Sequence, residues 1–265
     1  MLDISFVIIE YDSLEDVKDC INSIKSKCIG LDYEIIVSSN TVYASRFQNI
    51  IKEKYPDVNW IFNKSNFGFA KGMNCGLSNA KGRIITIINP DVKIISNNIK
   101  SAVKYLFDNP SVALLGPKIL DSSANIQDTC RSFMNPIDLI SRVLQRIFFR
   151  KDVLIDSNFN YSITTTVDCV IGAFMMVQVQ AYKNVGGLDE KYFLYVEDMD
   201  WCKRFWDFGY KVIYYPHLEV QYKGDRKSIS ALLSNRFLNK YLFYHIKSYF
   251  RFISKHGLNP KRRKV

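Results

Sequence analysis

Three short stretches of this chain hold residue types and spacings that could do chemistry. The first is a glycine-punctuated turn, Asn66-Phe67-Gly68-Phe69-Ala70-Lys71-Gly72-Met73-Asn74. Small residues there let backbone approach a nucleotide, and a helix opening at such a turn favours phosphate. Close helix–sheet packing uses the same residues. The second is Asn89-Pro90-Asp91, which follows the apolar run 83–88. A carboxylate at the carboxyl end of a strand lies where open α/β sheets bind ligands. Hard divalent cations bind through one or two carboxylates together with phosphate oxygens. Asp91 therefore suits a nucleotide diphosphate held through a cation, although Asn-Pro-Asp is also ordinary turn chemistry. The third is Glu197-Asp198-Met199-Asp200, which opens a helical pattern and offers carboxylates fit for a general base. Helix dipoles alone also attract acidic residues to this position. Ahead of a further strand-like run, the small Gly172 and Ala173 would let a ligand come close, and packing alone also explains them.

The elements that must position these groups alternate in the first half. Residues 4–9 are a β-branched run, and Leu14, Val17, Ile21 and Ile24 then recur at helical spacing. Strand-like runs at 33–37, 58–62, 83–88 and 112–115 alternate with helical patterns at 44–54, 69–79 and 97–107. Repeated βα units with short connections predict an α/β fold with a mostly parallel sheet, covered by helices on both faces. The second half is less regular. It has a basic amphipathic stretch at 137–149 (with Arg142, Arg146 and nearby Arg150) and strand-like runs at 167–171 and 174–179. A helix is predicted over 197–208, a strand over 211–215 stopped by Pro216, and a long basic-aromatic helix over 230–255. The basic tail 261–264 is expected to fray. We expect one sheet-containing unit over 1–225, with a nucleotide-binding half at 1–120 and an acceptor half at 121–225. A helical extension would fill 226–265.

Bulk composition narrows the class. With 48% hydrophobic and 23% charged residues, the chain can bury a sizeable core and is not of disordered type. A net charge of +10 points to anionic partners: nucleotide phosphates, an acidic membrane surface or a polyanion. The six cysteines lack CxxC spacing, so a zinc site is not expected and reduced core thiols are. The first residues turn polar too early for a signal peptide, and no apolar run approaches the roughly 20 residues that span a bilayer.

Taken in order, Asn66-x-Gly68-x-x-x-Gly72-x-Asn74, Asn89-Pro90-Asp91, Gly172-Ala173, Gly187-Leu188-Asp189-Glu190, Glu197-Asp198-x-Asp200 and His217 resemble glycosyltransferase family 2. The likeness is closest to its rhamnosyltransferase-like branch, which builds bacterial surface polysaccharides such as O-antigen and capsule, and it covers residues 3–222. The resemblance implies a GT-A fold, with a Rossmann-like nucleotide-binding half fused to an acceptor-binding half. It implies inverting transfer from a nucleotide-sugar donor, dTDP-rhamnose or a UDP-sugar, to a hydroxyl of a glycan or lipid-linked glycan acceptor. Mg²⁺ or Mn²⁺ would be the cofactor, with Asp91 and His217 as metal ligands and Asn89 on the ribose or diphosphate. Asp198 would be the base and Glu197 its neighbour and substitute. Asp200 joins Gly172 and Ala173 among the substrate-binding residues, by orienting a backbone or a basic side chain.

The chain departs from the family pattern at the nucleoside end. Where the resemblance expects Asp-Asn after the second strand, this chain has Ser38-Ser39-Asn40; where it expects Thr-Tyr-Asn after the first, this chain has Glu10-Tyr11-Asp12. Tyr11 and Asn40 remain to contact the base. The expected location is cytoplasmic, with the aromatic C-terminal helix either peripheral on the inner face of the membrane, packed on the domain, or at a homodimer contact. A rival reading is a weakened or non-catalytic binder of nucleotides or polyanions at that surface. A sugar-phosphate nucleotidyltransferase would need a glycine-rich basic loop after the first strand, and none is present. No nucleic-acid motif is found.

Overall fold

The computed structural model describes residues 2–133, 135, 159–224 and 238–261. The predicted stretch 137–149, the start of the C-terminal helix and most of the tail lie outside the described residues. The first half runs β1 (Ile4–Glu10), α1 (Leu14–Lys27), β2 (Tyr33–Ser39), α2 (Ser45–Lys54), β3 (Val58–Phe62), α3 (Gly68–Leu77) and β4 (Ile84–Ile88). There follow β5 (Val92–Ile94), α4 (Ile99–Asp108), β6 (Val112–Leu120) and three short pieces, β7 (Cys130–Arg131), β8 (Thr165–Thr166) and β9 (Cys169–Val170). The rest is β10 (Phe174–Gln178), α5 (Val179–Val185), α6 (Glu197–Asp207), β11 (Lys211–Tyr222) and α7 (Leu238–His256).

Nine strands form one sheet, ordered β3-β2-β1-β4-β10-β6-β11-β5, with β8 added on β11. The four strands β3, β2, β1 and β4 are parallel, as βα repeats require. The antiparallel β10 sits between β4 and β6, and carries the same sheet into the second half. Strand alternation explains the two cores. Ile4, Phe6 and Ile8 pack on one face with α1 and α4, whereas Val7 and Ile9 pack on the other with α3 and α6. The second core also receives Tyr249 and Phe252 from α7.

Two expectations change. The strand at 211–215 does not stop at Pro216 but continues to Tyr222. Proline has no N–H to give a ladder, and the β6–β11 register breaks between Tyr215 and Glu219, so the irregularity absorbs it. The run 167–171 is not one strand. Of it, Cys169–Val170 forms β9, which pairs with β7 in a separate two-stranded sheet, while β8 lies just ahead of the run and pairs with β11. Among the described residues, no helix is long and apolar enough to cross a membrane.

Candidate active site

The carboxyl edges of β1, β2 and β4 form one rim. Asp91 lies on it, half-buried in the link between β4 and β5. The end of β11 runs beside that link: Tyr222 pairs with Val92, and the Lys223 N–H donates to the Asp91 carbonyl at 3.2 Å. Burial pushes the Tyr222 phenol up to about 12, and the charge of Asp91 adds to the shift, against a side-chain hydrogen bond from Asn89. The Oδ1 of Asn89 is buried without a partner among the described residues.

Asp198 reaches the same rim from the opposite half. The Asn89 N–H donates to the Ala173 carbonyl at 2.9 Å, and the adjacent Gly172 N–H donates to Asp198 Oδ2 at 2.9 Å. The Met199 N–H holds the other oxygen at 2.8 Å. Gly172 eases this approach: a Cβ there would lie 3.2 Å from the Asp198 Cβ, so the carboxylate would have to shift by a few tenths of an ångström. The backbone entering α6 is strained. Tyr195 and Val196 both have left-handed φ, 70° and 69°, which is unfavourable for a β-branched valine. That turn sets Glu197 and Asp198 into a pocket of about 70 Å³, shared with Arg131, Tyr195 and His245. Glu197 Oε2 and Arg131 Nε are buried there without hydrogen-bond partners among the described residues. Burial drives the Glu197 carboxyl well above the usual range, and the charge of Asp198 drives it further.

Several predicted contacts are occupied by the protein itself. Asn40 is buried; its Nδ2 donates to the Gly68 carbonyl at 2.9 Å, and its Oδ1 accepts from Asn63 at 3.0 Å. It braces the glycine turn rather than facing a base. At the start of α3, the Gly68 N–H is taken by Asn66 Oδ1 and the Phe69 N–H by the Phe193 carbonyl, so these two donors are not open to phosphate. Gly68 has φ +78°, and a side chain there would run into Phe193. A Cβ on Gly72 would meet Ile9 and Asn40 at 2.5 and 2.7 Å, which is close helix–sheet packing. Asn74 clasps Leu188 through both side-chain atoms, at 2.8 and 3.0 Å. The motif therefore ties the two halves together.

Asp200 is fully buried and does not face the pocket. It accepts from Arg204, Lys255 and His256, each at 2.8 Å. This corrects its placement with the substrate residues, although it does orient basic side chains. His217 is not brought to Asp91. It is exposed, and its carbonyl accepts from Asn98 at 2.6 Å. Its place on β11 is five residues before Tyr222. At about 3.3 Å per residue that is on the order of 15 Å from the strand end beside Asp91.

The nucleoside end holds a carboxylate after all, on the other strand. Glu10 pairs in register with Ser39, whose hydroxyl donates to Glu10 Oε2 at 2.5 Å. The Ser13 N–H, Thr41 and Tyr43 donate to Oε1 at 2.9, 3.0 and 3.1 Å. Compared with the expected Thr and Asp, carboxylate and hydroxyl have exchanged strands. Neighbouring Tyr11 is 52% exposed and open to a ligand. Sequence reasoning missed Arg131, Tyr222 and His245. The first lies where no periodicity stands out, the second beyond Pro216, and the third within an aromatic helix, where only the scarcity of histidine marks it.

A mostly parallel α/β sheet that continues through an antiparallel strand into a second half, with one carboxylate at its rim and another beside a strained turn, has the architecture of a GT-A glycosyltransferase. The model of the family described as Glycosyl transferase family 2 matches residues 5–186, and the chain belongs to that family. It is similar to the rhamnosyltransferase WbbL of Escherichia coli (strain K12), 26% identical over 238 residues, 87% of this chain and 85% of that one. It is also similar to the N-acetylglucosaminyl-diphospho-decaprenol L-rhamnosyltransferase of Mycobacterium tuberculosis (strain ATCC 25618 / H37Rv), 24% identical, covering 63% of this chain and 59% of that one. These likenesses fall in the rhamnosyltransferase-like branch. Among solved structures, the Pyrobaculum calidifontis mannosyltransferase PcManGT in complex with GDP-Man and Mn²⁺ superposes with TM-score 0.62 at 14% identity, over 99% of this chain and 68% of that one. GalNAc-T7 with UDP, GalNAc and Mn²⁺ gives 0.59 at 13% identity, over 98% and 55%. The shared fold is GT-A, and the chemistry of the family is glycosyl transfer.

Proposed function

We propose that this chain transfers a sugar, with inversion, from a nucleoside diphosphate sugar to a hydroxyl of a lipid-linked glycan. dTDP-rhamnose is the first donor to test and a UDP-sugar the second. The observation that carries the reading is the bridge from Asn89 through Ala173 and Gly172 to Asp198, which sets the two acidic groups on one rim. In this reading, Asp198 takes the proton of the acceptor hydroxyl as that oxygen attacks the anomeric carbon. Its two backbone N–H donors fix the direction of the carboxylate. Residues 1–120 would hold the donor and 121–225 the acceptor.

Asp91 and the orphaned Asn89 Oδ1 are hard oxygen donors, and they fit Mg²⁺ or Mn²⁺. Among the described residues, no group of three or more His, Cys, Asp or Glu gathers to hold an ion. The donor diphosphate would have to supply the remaining oxygens. When bound, the ion neutralises charge on the leaving nucleoside diphosphate. Arg131, with its buried unpartnered Nε, offers a second positive charge in the same pocket. The test is transfer from a panel of nucleotide sugars to a polyprenyl-diphosphate-linked sugar, read by mass spectrometry. A new disaccharide with inverted anomeric configuration, formed only with one donor, is the expected result. No turnover with any donor, metal present, would overturn the reading.

A further inference from the structure

The outer face of α7 has no partner among the described residues, yet it is apolar. Phe243, Ile246 and Phe250 are 59%, 42% and 68% exposed. Their spacing, i, i+3 and i+7, puts them in one stripe along the helix. Lys240 and Lys247 are exposed along one edge of that stripe, and half-buried Arg251 follows them. Lys247 and Arg251 meet Lys191 around a small pocket walled by Phe193 and Tyr244, whose rings stack at 4.8 Å. α7 contains no Asp or Glu. Among the described residues, its ion pairs are those of Lys255 and His256, on the inner side. Among the described residues, the cations beside the stripe have no carboxylate paired with them.

The inner face of the same helix is fixed to the active site. Tyr249 and Phe252 are buried in the core, and Ser248 donates to the Leu194 carbonyl at 2.9 Å. His245 lines the Asp198 pocket against Tyr195. One helix thus carries the pocket on one side and an apolar, cation-edged stripe on the other. We propose that this stripe is a docking surface for an anionic lipid bilayer. Phe243, Ile246 and Phe250 enter the headgroup boundary, and Lys191, Lys240, Lys247 and Arg251 pair with lipid phosphates. A soluble partner would be expected to bring carboxylates to the cations, but a bilayer answers both the stripe and its edge at once. The inference deepens the reading of a lipid-linked acceptor and rests on it for its purpose: docking would bring the Asp198 pocket to the depth of the acceptor headgroup.

The experiment is vesicle flotation of the full chain, with no nucleotide or acceptor, on phosphatidylcholine alone and on phosphatidylcholine mixed with phosphatidylglycerol. Binding is expected on the anionic vesicles only, and salt should weaken it. Phe243→Ser with Phe250→Ser should lower partitioning by at least about tenfold. Lys240→Gln with Lys247→Gln should lower it by roughly thirtyfold. Both double variants should keep the parent melting temperature and its nucleotide response. Equal binding to neutral vesicles, or variants that float like the parent, would overturn the proposal. So would light scattering that shows a dimer dissolved by the Phe243 and Phe250 changes, because a second copy would then cover the stripe. A chain that docks but transfers nothing to a lipid-linked sugar would keep this inference and sink the acceptor reading instead.

Discussion

Glu197 and Asp198 are neighbours on the first turn of α6, but their surroundings give them different work. Asp198 is half-buried and held by two backbone N–H groups, whereas Glu197 is buried with one oxygen unpartnered. Loss of a general base costs about 10²–10⁴-fold, so Asp198→Asn is expected to lower kcat in that range. Glu197→Gln copies a protonated carboxyl and should stay within about tenfold of the parent, which steady-state transfer assays would separate. The same change reads out in stability. The Glu197 carboxyl titrates well above its ordinary 4.5 in the fold. Its contribution is therefore intact below that value and lost as pH rises. Melting curves should show Glu197→Gln equal to the parent in acid and progressively more stable toward alkaline pH. Glu10 and Ser39 provide a second residue-scale test. Ser39→Asp alone sets two carboxylates against each other in a buried pair, while Ser39→Asp with Glu10→Thr restores one of each. Urea titration of all four proteins should give a coupling of about 1–3 kcal/mol in favour of the double variant. Asp91 and Asp198 were legible in the sequence because carboxylates at element ends stand out from apolar runs. Arg131 and His245 were not, because only the folded chain carries them to Asp198.

Among the elements, α6 and α7 are joined through Asp200. Burial pushes this carboxyl up, but the hydrogen bond from His256, the charge of Arg204 and the bond from Lys255 outweigh it and hold it at about 2. A depressed carboxyl contributes stability that is present above its ordinary 3.8 and lost as pH falls toward 2. Removing one partner of a buried charge cluster costs about 3–5 kcal/mol. Asp200→Asn should therefore destabilise the chain by that order at pH 7, and denaturant titrations should show the gap closing in acid. A gap that does not change with pH would mean that Asp200 holds α7 by packing alone. The parallel strands of the first half were readable from β-branched runs set between helical patterns. The path of β11 past Pro216 was not, since a local stop signal cannot register the break that accommodates it. β10 was legible as the strand-like run 174–179, but its antiparallel place between β4 and β6 was not, because it depends on pairing far along the chain.

At the scale of the molecule, the proposed donor site would be assembled from parts that are each insufficient. In that reading Asp91 and Asn89 would supply two oxygen positions, Tyr11 an open ring, Glu10 a braced rim, and Arg131 a cation from the second half. Mg²⁺ keeps several waters and is usually bound by one or two carboxylates plus substrate phosphates. Ion and nucleotide should then bind as a pair. Ligand bound only to the native state adds RT ln(1 + [L]/Kd), about 2.7 kcal/mol at one hundred times Kd. Thermal melting with Mn²⁺ alone, with a nucleoside diphosphate alone, and with both should show a large shift only for the combination. Asp91→Asn should abolish the gain from the ion, and Arg131→Met should weaken the nucleotide with or without it. Equal shifts from nucleotide in the presence and absence of Mn²⁺ would place the burden of the diphosphate on Arg131 and the backbone, and would remove the metal from the reaction. The charge of +10 does not distinguish these outcomes, because it would attract an anionic donor in either case. The distinction lies with Asp91 and with Asn89, whose Oδ1 is kept out of water with no hydrogen-bond donor among the described residues.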